Sequence, residues 1–259
     1  MIKSLMAMAA LIICGSACAK STCADIHREQ SFPSLKMSDG VVCFVKEPVV
    51  DPGTRTPIGV DAISLYYIAN GGDAAKAEGR GLLYDNTPGE IVDAFPAKIS
   101  LDRSESIFVI HSVTVRNSLV EPNSSGKFYS VSVFDVAGKT LRRDERASDW
   151  FGADYSWISD GKNIVYRYPY LSKIDVRHAI NSPFAPLMAG DKFIAAVVGE
   201  KSYLFDESNI KGKTKKYLIK GDRVVVEAAS AGWCRIKYTS GSKPLDMWMM
   251  CAALSVRPR

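Results

Sequence analysis

The chain has 259 residues, and its 33 lysines and arginines outnumber its 28 aspartates and glutamates. That length allows one large domain or two modest ones. The charge is mildly basic and dispersed, so we expect no nucleic-acid partner. The exception is a run of four lysines, Lys211, Lys213, Lys215 and Lys216, which we place in a loop. Such a run could contact phosphate or an anionic surface, but we favour the simpler interpretation of a solvated loop.

Residues 1–19 predict a signal peptide. Lys3 supplies the positive n-region, residues 5–14 form a short apolar h-region, and residues 17–19 fit an A-x-A cleavage site. About ten apolar residues are too few to span a bilayer, so no stable membrane insertion is expected. We therefore predict export to the periplasm with cleavage after Ala19.

Lipid attachment at Cys18 is the alternative interpretation of this N-terminus. Cys14 and Cys18 both lie near the position that a lipoprotein needs. However, Gly15 stands where a lipobox has leucine, and this favours the cleaved signal peptide.

Four cysteines follow the predicted cleavage site: Cys23, Cys43, Cys234 and Cys251. An even number in an exported chain predicts disulfides, and three connectivities are possible. We favour Cys23–Cys43 with Cys234–Cys251, because each bond would then close a short loop near one end of the chain. A zinc site is less favoured, since no C-x-x-C spacing exists and His27 is the nearest imidazole.

The rest of the sequence predicts an all-β protein, because short β-branched and aromatic runs alternate with turn residues. We expect residues 20–33 to be an extended arm and residues 175–179 a helical turn. The expected strands of the N-terminal domain, residues 20–190, are 41–46, 62–68, 91–95, 99–101, 106–115, 128–136 and 163–168.

Residues 156–166, with Trp157 ahead of an Asp160-Gly161 hairpin signal, resemble one repeat of a TolB-type β-propeller. The motif does not recur at a fixed period. The N-terminal domain is therefore predicted to be either propeller-like or a β-sandwich.

Residues 191–259 predict a small antiparallel barrel. The Lys220-Gly221-Asp222 turn, the strand at 224–226, Gly232-Trp233-Cys234 and Trp248 resemble bacterial SH3-like domains. For an exported bacterial protein, this resemblance implies peptidoglycan binding.

No catalytic motif is present in the sequence. The imidazoles His27, His111 and His178 are far apart, and His111 alternates within an apolar strand, as a core histidine does. There is no G-x-S-x-G elbow, and the four cysteines are expected to be structural. We therefore predict a protein that is not an enzyme and needs no cofactor or metal.

The overall layout resembles the periplasmic immunity proteins that accompany type VI secretion phospholipase effectors, on residues 38–44, residues 165–170 and the barrel after them. This resemblance implies a protein partner, a secreted lipase, that is neutralised by binding and occlusion. The alternative is a cell-wall or envelope binding or scaffold module that uses the SH3-like domain.

The densest aromatic stretch of the chain lies at residues 150–170, and most of it is expected to be core. Trp150, Tyr155 and Trp157 lie near a predicted turn, so we expect them to be exposed anchors for the partner.

Overall fold

A computed structural model describes residues 22–99, 104–115, 121–190, 193–239 and 244–256, and the protein in it is all-β, as predicted. The predicted signal peptide, its cleavage site and Cys18 lie outside the described residues. Of the strand expected at residues 99–101, only Ile99 is described, and it lies in a bend. Among the described residues, no helix has the length and apolar character needed to cross a membrane.

The first sheet has four antiparallel strands in the order β1-β2-β3-β4. They are β1 (Gln30–Lys36), β2 (Gly40–Val50), β3 (Pro57–Ala69) and β4 (Ala74–Lys76). The prediction of an extended arm over residues 20–33 is wrong in part. Residues Cys23–Ile26 form a 3₁₀ turn, and the chain from Gln30 is a strand because it pairs with β2.

The second sheet has five antiparallel strands, in which β5-β6-β7-β8 are consecutive neighbours and β9 also pairs with β7. They are β5 (Glu90–Ala97), β6 (Ser106–Thr114), β7 (Lys127–Ala137), β8 (Thr140–Arg143) and β9 (Ala153–Tyr155). Strand β6 has no solvent-facing side, since all its residues but the last are buried. This sheet is therefore the middle layer of the protein.

The first sheet packs on one face of the second through an apolar core. That core includes Val42, Phe44, Leu65, Ile107, Val109 and Phe134. Two sheets that face each other across such a core form a sandwich, which was one of the two predicted architectures. The expected propeller repeat is a single hairpin of β10 (Trp157–Ser159) and β11 (Ile164–Arg167), closed by Gly161 at φ +92°.

Two helices cover the other face of the second sheet. They are α1 (Glu145–Phe151) and α2 (Lys173–Ile180). The side chain of Asp144 caps α1 by accepting a hydrogen bond from the Ala147 amide, and Ser172 and Asp175 form a capping box on α2. Helix α2 confirms the helical turn predicted at residues 175–179.

The C-terminal strands form a third sheet, which is curled into a half-barrel. Its order is β14-β13-β17-β16-β15-β12-β18, and each neighbouring pair is antiparallel. The strands are β12 (Ile194–Val198), β13 (Ser202–Phe205), β14 (Lys213–Leu218), β15 (Arg223–Ser230), β16 (Trp233–Thr239), β17 (Pro244–Met250) and β18 (Leu254–Ser255). Its assignment to the SH3-like family stays a prediction.

The lysine run corrects the sequence interpretation. Lys213, Lys215 and Lys216 lie in β14 and not in a loop, because the segment pairs with β13 from Ser202 to Phe205. Of the four lysines, only Lys211 precedes the strand, in a 3₁₀ turn.

The predicted domain boundary at residues 190/191 precedes the third sheet, but the apolar core is continuous across it. The second sheet contributes Phe108 and Val131, α1 contributes Phe151, and the third sheet contributes Trp233 and Met249 to one cluster. The third sheet and the helices therefore rest on a shared core.

The disulfides join Cys23 to Cys43 and Cys234 to Cys251, which are the two pairs that we favoured. The first ties the N-terminal 3₁₀ turn to β2. The second ties β16 to the 3₁₀ turn Cys251–Ala253 that follows β17.

Candidate binding cleft

A cleft of about 700 Å³ lies where the β10–β11 hairpin and α2 meet the third sheet. Its volume is in the range of sites that bind small molecules or inserted side chains. Most of its lining is apolar or aromatic. The residues that define it are Trp150, Tyr166, Pro169, Tyr170, Ala179, Ser182, Ala231, Gly232, Met250 and Cys251.

The aromatic wall of the cleft is built at the C-terminal end of α1. The Trp150 ring stacks on Tyr170 at a centroid distance of 5.6 Å and an interplanar angle of 26°. Phe151, fully buried, contacts the same tyrosine edge-on at 4.9 Å. Because these rings support one another, the wall is fixed before any ligand arrives.

Tyr166 connects this wall to the third sheet. Its hydroxyl donates a hydrogen bond of 2.7 Å to the Ala231 carbonyl, and its ring stacks on Trp233 at 5.6 Å. Burial raises the pKa of Tyr166 far above its usual value, so the phenol stays neutral and remains a donor.

Two residues that line the cleft, Trp150 and Ser182, each carry a polar atom that has no partner among the described residues and is closed off from solvent. Within the described part of the chain, neither the buried Trp150 Nε1 nor the buried Ser182 Oγ makes a hydrogen bond. Trp150 is only 5% exposed, so its indole N–H has lost most contact with water without a replacement. Unpaired buried donors are uncommon and costly. A group bound in the open cleft could reach these two atoms only if neighbouring side chains moved.

Arg167 and His178 are exposed lining residues that add polar groups to this site. Asp175 also lines the cleft, but its carboxylate accepts hydrogen bonds from the Ser172 amide and hydroxyl as the helix cap. The cleft therefore combines an apolar, aromatic interior with the exposed Arg167 and His178, and it suits an apolar group that has a polar or negatively charged neighbour.

The structure separates the three predicted anchors. Trp150 lines the cleft, whereas Tyr155 and Trp157 do not. The expectation of exposed side chains is wrong for Trp150, at 5%, and for Tyr155, at 7%. The reason is that residues 145–151 form a helix packed on β7, and Tyr155 pairs edge-on with Phe128 at 5.1 Å. Trp157 is half-buried in β10, and its role in partner binding stays a prediction.

Sequence reasoning missed Ser182 and Ala231 as cleft residues. Their short side chains belong to no sequence motif. They line the same cleft because the chain after α2 and the β15–β16 turn lie on either side of it. Tyr166 and Tyr170, by contrast, lie within the 165–170 stretch that suggested the immunity family.

Some titratable groups outside the cleft have perturbed pKa values. His111 is fully buried in β6, as expected for a core histidine, and burial lowers its pKa. Burial raises the pKa of Asp154 to about 6. No group of three or more potential metal-ligating side chains occurs in the described part of the chain.

No family model, curated protein or solved structure matches the chain. The candidate site therefore rests on its own geometry.

Proposed function

We propose that this protein is an exported inhibitor that binds a secreted antibacterial phospholipase one-to-one in the periplasm and occludes it. The cleft would receive an apolar side chain of the partner. The observation that carries this proposal is the open cleft of about 700 Å³ with its aromatic wall, in which Trp150 stacks on Tyr170.

A preformed cleft favours tight binding. The stacked rings of Trp150 and Tyr170 and the Cys234–Cys251 disulfide hold its walls in place. A site that is ordered before association loses less conformational entropy when the partner binds. An inhibitor that must meet a toxin at low concentration needs this property.

The two disulfides support the proposed export to the periplasm, because such bonds persist in oxidising environments. The identity of the partner as a phospholipase rests on the resemblance of residues 38–44 and 165–170 to type VI immunity proteins. Tyr166 and Tyr170 of the second stretch line the cleft.

The test begins with a search of the neighbouring genes for a phospholipase effector. That effector, targeted to the periplasm, is then co-expressed with and without this protein. We expect protection, and a complex on size-exclusion chromatography. Equal killing in both cultures with no complex would overturn the proposal. Retention on isolated sacculi, with no lipase complex, would favour the envelope-binding alternative.

The role of the cleft is tested with Trp150→Phe, which keeps an aromatic ring but removes part of the indole surface of the cleft wall. We expect about tenfold weaker binding of the lipase, since the partner's side chain loses apolar contact with the smaller ring. Trp248→Phe, in β17 outside the cleft, is the matched control and should bind as the wild type does. Equal affinity of both variants would place the interface elsewhere.

A further inference from the structure

Strands β13 and β14 carry an exposed surface of lysines and tyrosines. Lys213, Lys215 and Tyr217 are exposed residues of β14, whose pairing with β13 is irregular between Tyr217 and Lys213. Tyr203 on β13 is the cross-strand neighbour of Tyr217, and Lys201 precedes it. We name these five residues the Lys–Tyr face.

The two tyrosines are exposed although they lie in a sheet. Tyr203 is 41% and Tyr217 is 50% exposed, and their rings meet edge-on at a centroid distance of 6.3 Å. Ile219, immediately after β14, is 54% exposed and extends the apolar part of this surface. These side chains together expose more apolar surface than singly scattered residues do, and contiguous exposed apolar surface marks interaction sites.

The lysines are held over the rings. Lys201 Nζ lies 4.3 Å from the Tyr217 centroid, and Lys213 Nζ lies 4.2 Å from the Tyr203 centroid. Each tyrosine therefore has one ring face covered by a cation of the protein itself. This arrangement disfavours stacking of a nucleic-acid base or a sugar, and it leaves ammonium groups and phenol hydroxyls exposed.

The local charge is positive. Residues 200–220 contain six lysines against three carboxylates, Glu200, Asp206 and Glu207. One of the lysines, Lys211, is paired with Glu121 at 2.7 Å, and Glu207 accepts a hydrogen bond from Asn209. The Lys–Tyr face therefore retains a net positive charge beside its phenol groups.

We propose that the Lys–Tyr face docks this protein on the surface of an anionic phospholipid bilayer. Lysine ammonium groups are attracted to anionic headgroups, and tyrosine rings favour the boundary between apolar and aqueous regions. The disulfides indicate an oxidising compartment, in which bilayer surfaces are accessible. The contact is peripheral and independent of the cleft and of any lipase partner.

The test is co-sedimentation of the purified full chain with vesicles. We expect binding to vesicles that contain phosphatidylglycerol and none to pure phosphatidylcholine, with binding lost at high salt. The double variant Lys213→Glu, Lys215→Glu should bind at least tenfold more weakly. Tyr203→Ala with Tyr217→Ala should weaken binding without a change in net charge.

The matched control is Lys139→Glu with Lys162→Glu, which changes the net charge equally in two exposed hairpin turns of other sheets. Circular dichroism verifies that each variant is folded, and Lys213→Gln with Lys215→Gln replaces the first variant if it is not. If the control variant loses as much vesicle binding as the Lys213→Glu, Lys215→Glu variant, the effect comes from net charge in general and the proposal is overturned. Failure of the wild type to bind anionic vesicles, or preferential binding of single-stranded DNA, would also overturn it.

Discussion

Gly152, at the C-terminal end of α1, lies directly against Ser230 at the end of β15. A Cβ atom on Gly152 would stand 2.7 Å from Ser230 Oγ, closer than side chains pack. The same hydroxyl donates a 2.8 Å hydrogen bond to the Asp149 carbonyl in α1. The last turn of α1 and the third sheet are thus joined at a point where only a glycine fits, beside the Trp150 wall of the cleft.

Gly152→Ala is expected to destabilise the protein by about 2–4 kcal/mol. Gly152 has φ +60° and ψ −159°, a region that is almost restricted to glycine, and the added methyl would also collide with Ser230. Urea unfolding measures the change. The control is Gly81→Ala, since Gly81 has no atom within 4 Å of its Cβ position and is not among the positive-φ glycines. Equal stability of the two variants would contradict this account of the junction.

The five longest strands of the first two sheets, β2, β3, β5, β6 and β7, were predictable from sequence, whereas β1, β4, β8 and β9 were not. Cys43 and Phe44 lie in a β-branched run behind a Ser-Asp-Gly turn, and this run is the middle of β2. Each of the five has its own composition and its own turns, so local patterns locate it. The favoured disulfides were also predictable, because cysteines close in sequence need little chain to meet.

The packing of these strands was not predictable. The sequence predicts a turn near Trp150, but the Asp144 cap starts a helix that buries the ring. The lysine-rich composition of β14 predicts a loop. The segment is a strand because its pairing with β13, and not its composition, decides its structure. The cleft depends on Ser182 and Ala231, which are brought together by the shared core of helices and third sheet. Such long-range contacts leave no local pattern.

Tyr166→Phe is expected to lower the free energy of unfolding by about 1–2 kcal/mol. The variant keeps the ring that stacks on Trp233 but leaves the Ala231 carbonyl without its 2.7 Å hydrogen bond. Thermal or urea unfolding checks this. Tyr203→Phe, on an exposed side chain, should change stability by less than about 0.5 kcal/mol. If Tyr203→Phe lowers the free energy of unfolding as much as Tyr166→Phe does, the hydrogen bond to Ala231 is not the cause of the loss.

The two disulfides are expected to stabilise the fold similarly and to affect the cleft differently. They span 20 and 17 residues, so replacing either pair with alanines should cost about 3 kcal/mol. Of the four cysteines, only Cys251 lines the cleft. Loss of Cys234–Cys251 should therefore also lower the affinity for the proposed partner, and loss of Cys23–Cys43 should not. Non-reducing peptide mapping verifies the pairs. A peptide that joins Cys23 to Cys234 would contradict the assignment.

Asp154 is expected to make the protein less stable as the pH rises. Burial of the carboxyl raises its pKa to about 6, and the nearby Glu121 charge adds to this, against the hydrogen bond from the Tyr155 amide. The unfolded chain has the ordinary pKa near 4, so between about pH 4 and 6 the folded state holds a proton that the unfolded state has lost. Stability contributed by this group is therefore present at low pH and lost as the pH rises through 6.

Asp154→Asn removes this titration while its side-chain oxygen can still accept from the Tyr155 amide. The variant should match the wild type near pH 4 and be more stable by about 2–3 kcal/mol above pH 7. Urea unfolding of both proteins from pH 4 to 8 gives the difference, so groups common to both cancel. Asp160→Asn is a control of opposite sign, because amide hydrogen bonds from Asn163 and Lys162 lower the pKa of Asp160. That variant should be less stable than the wild type at neutral pH, with the difference shrinking as the pH falls. A stability difference between Asp154→Asn and the wild type that does not change with pH would show that folding does not raise the pKa of Asp154.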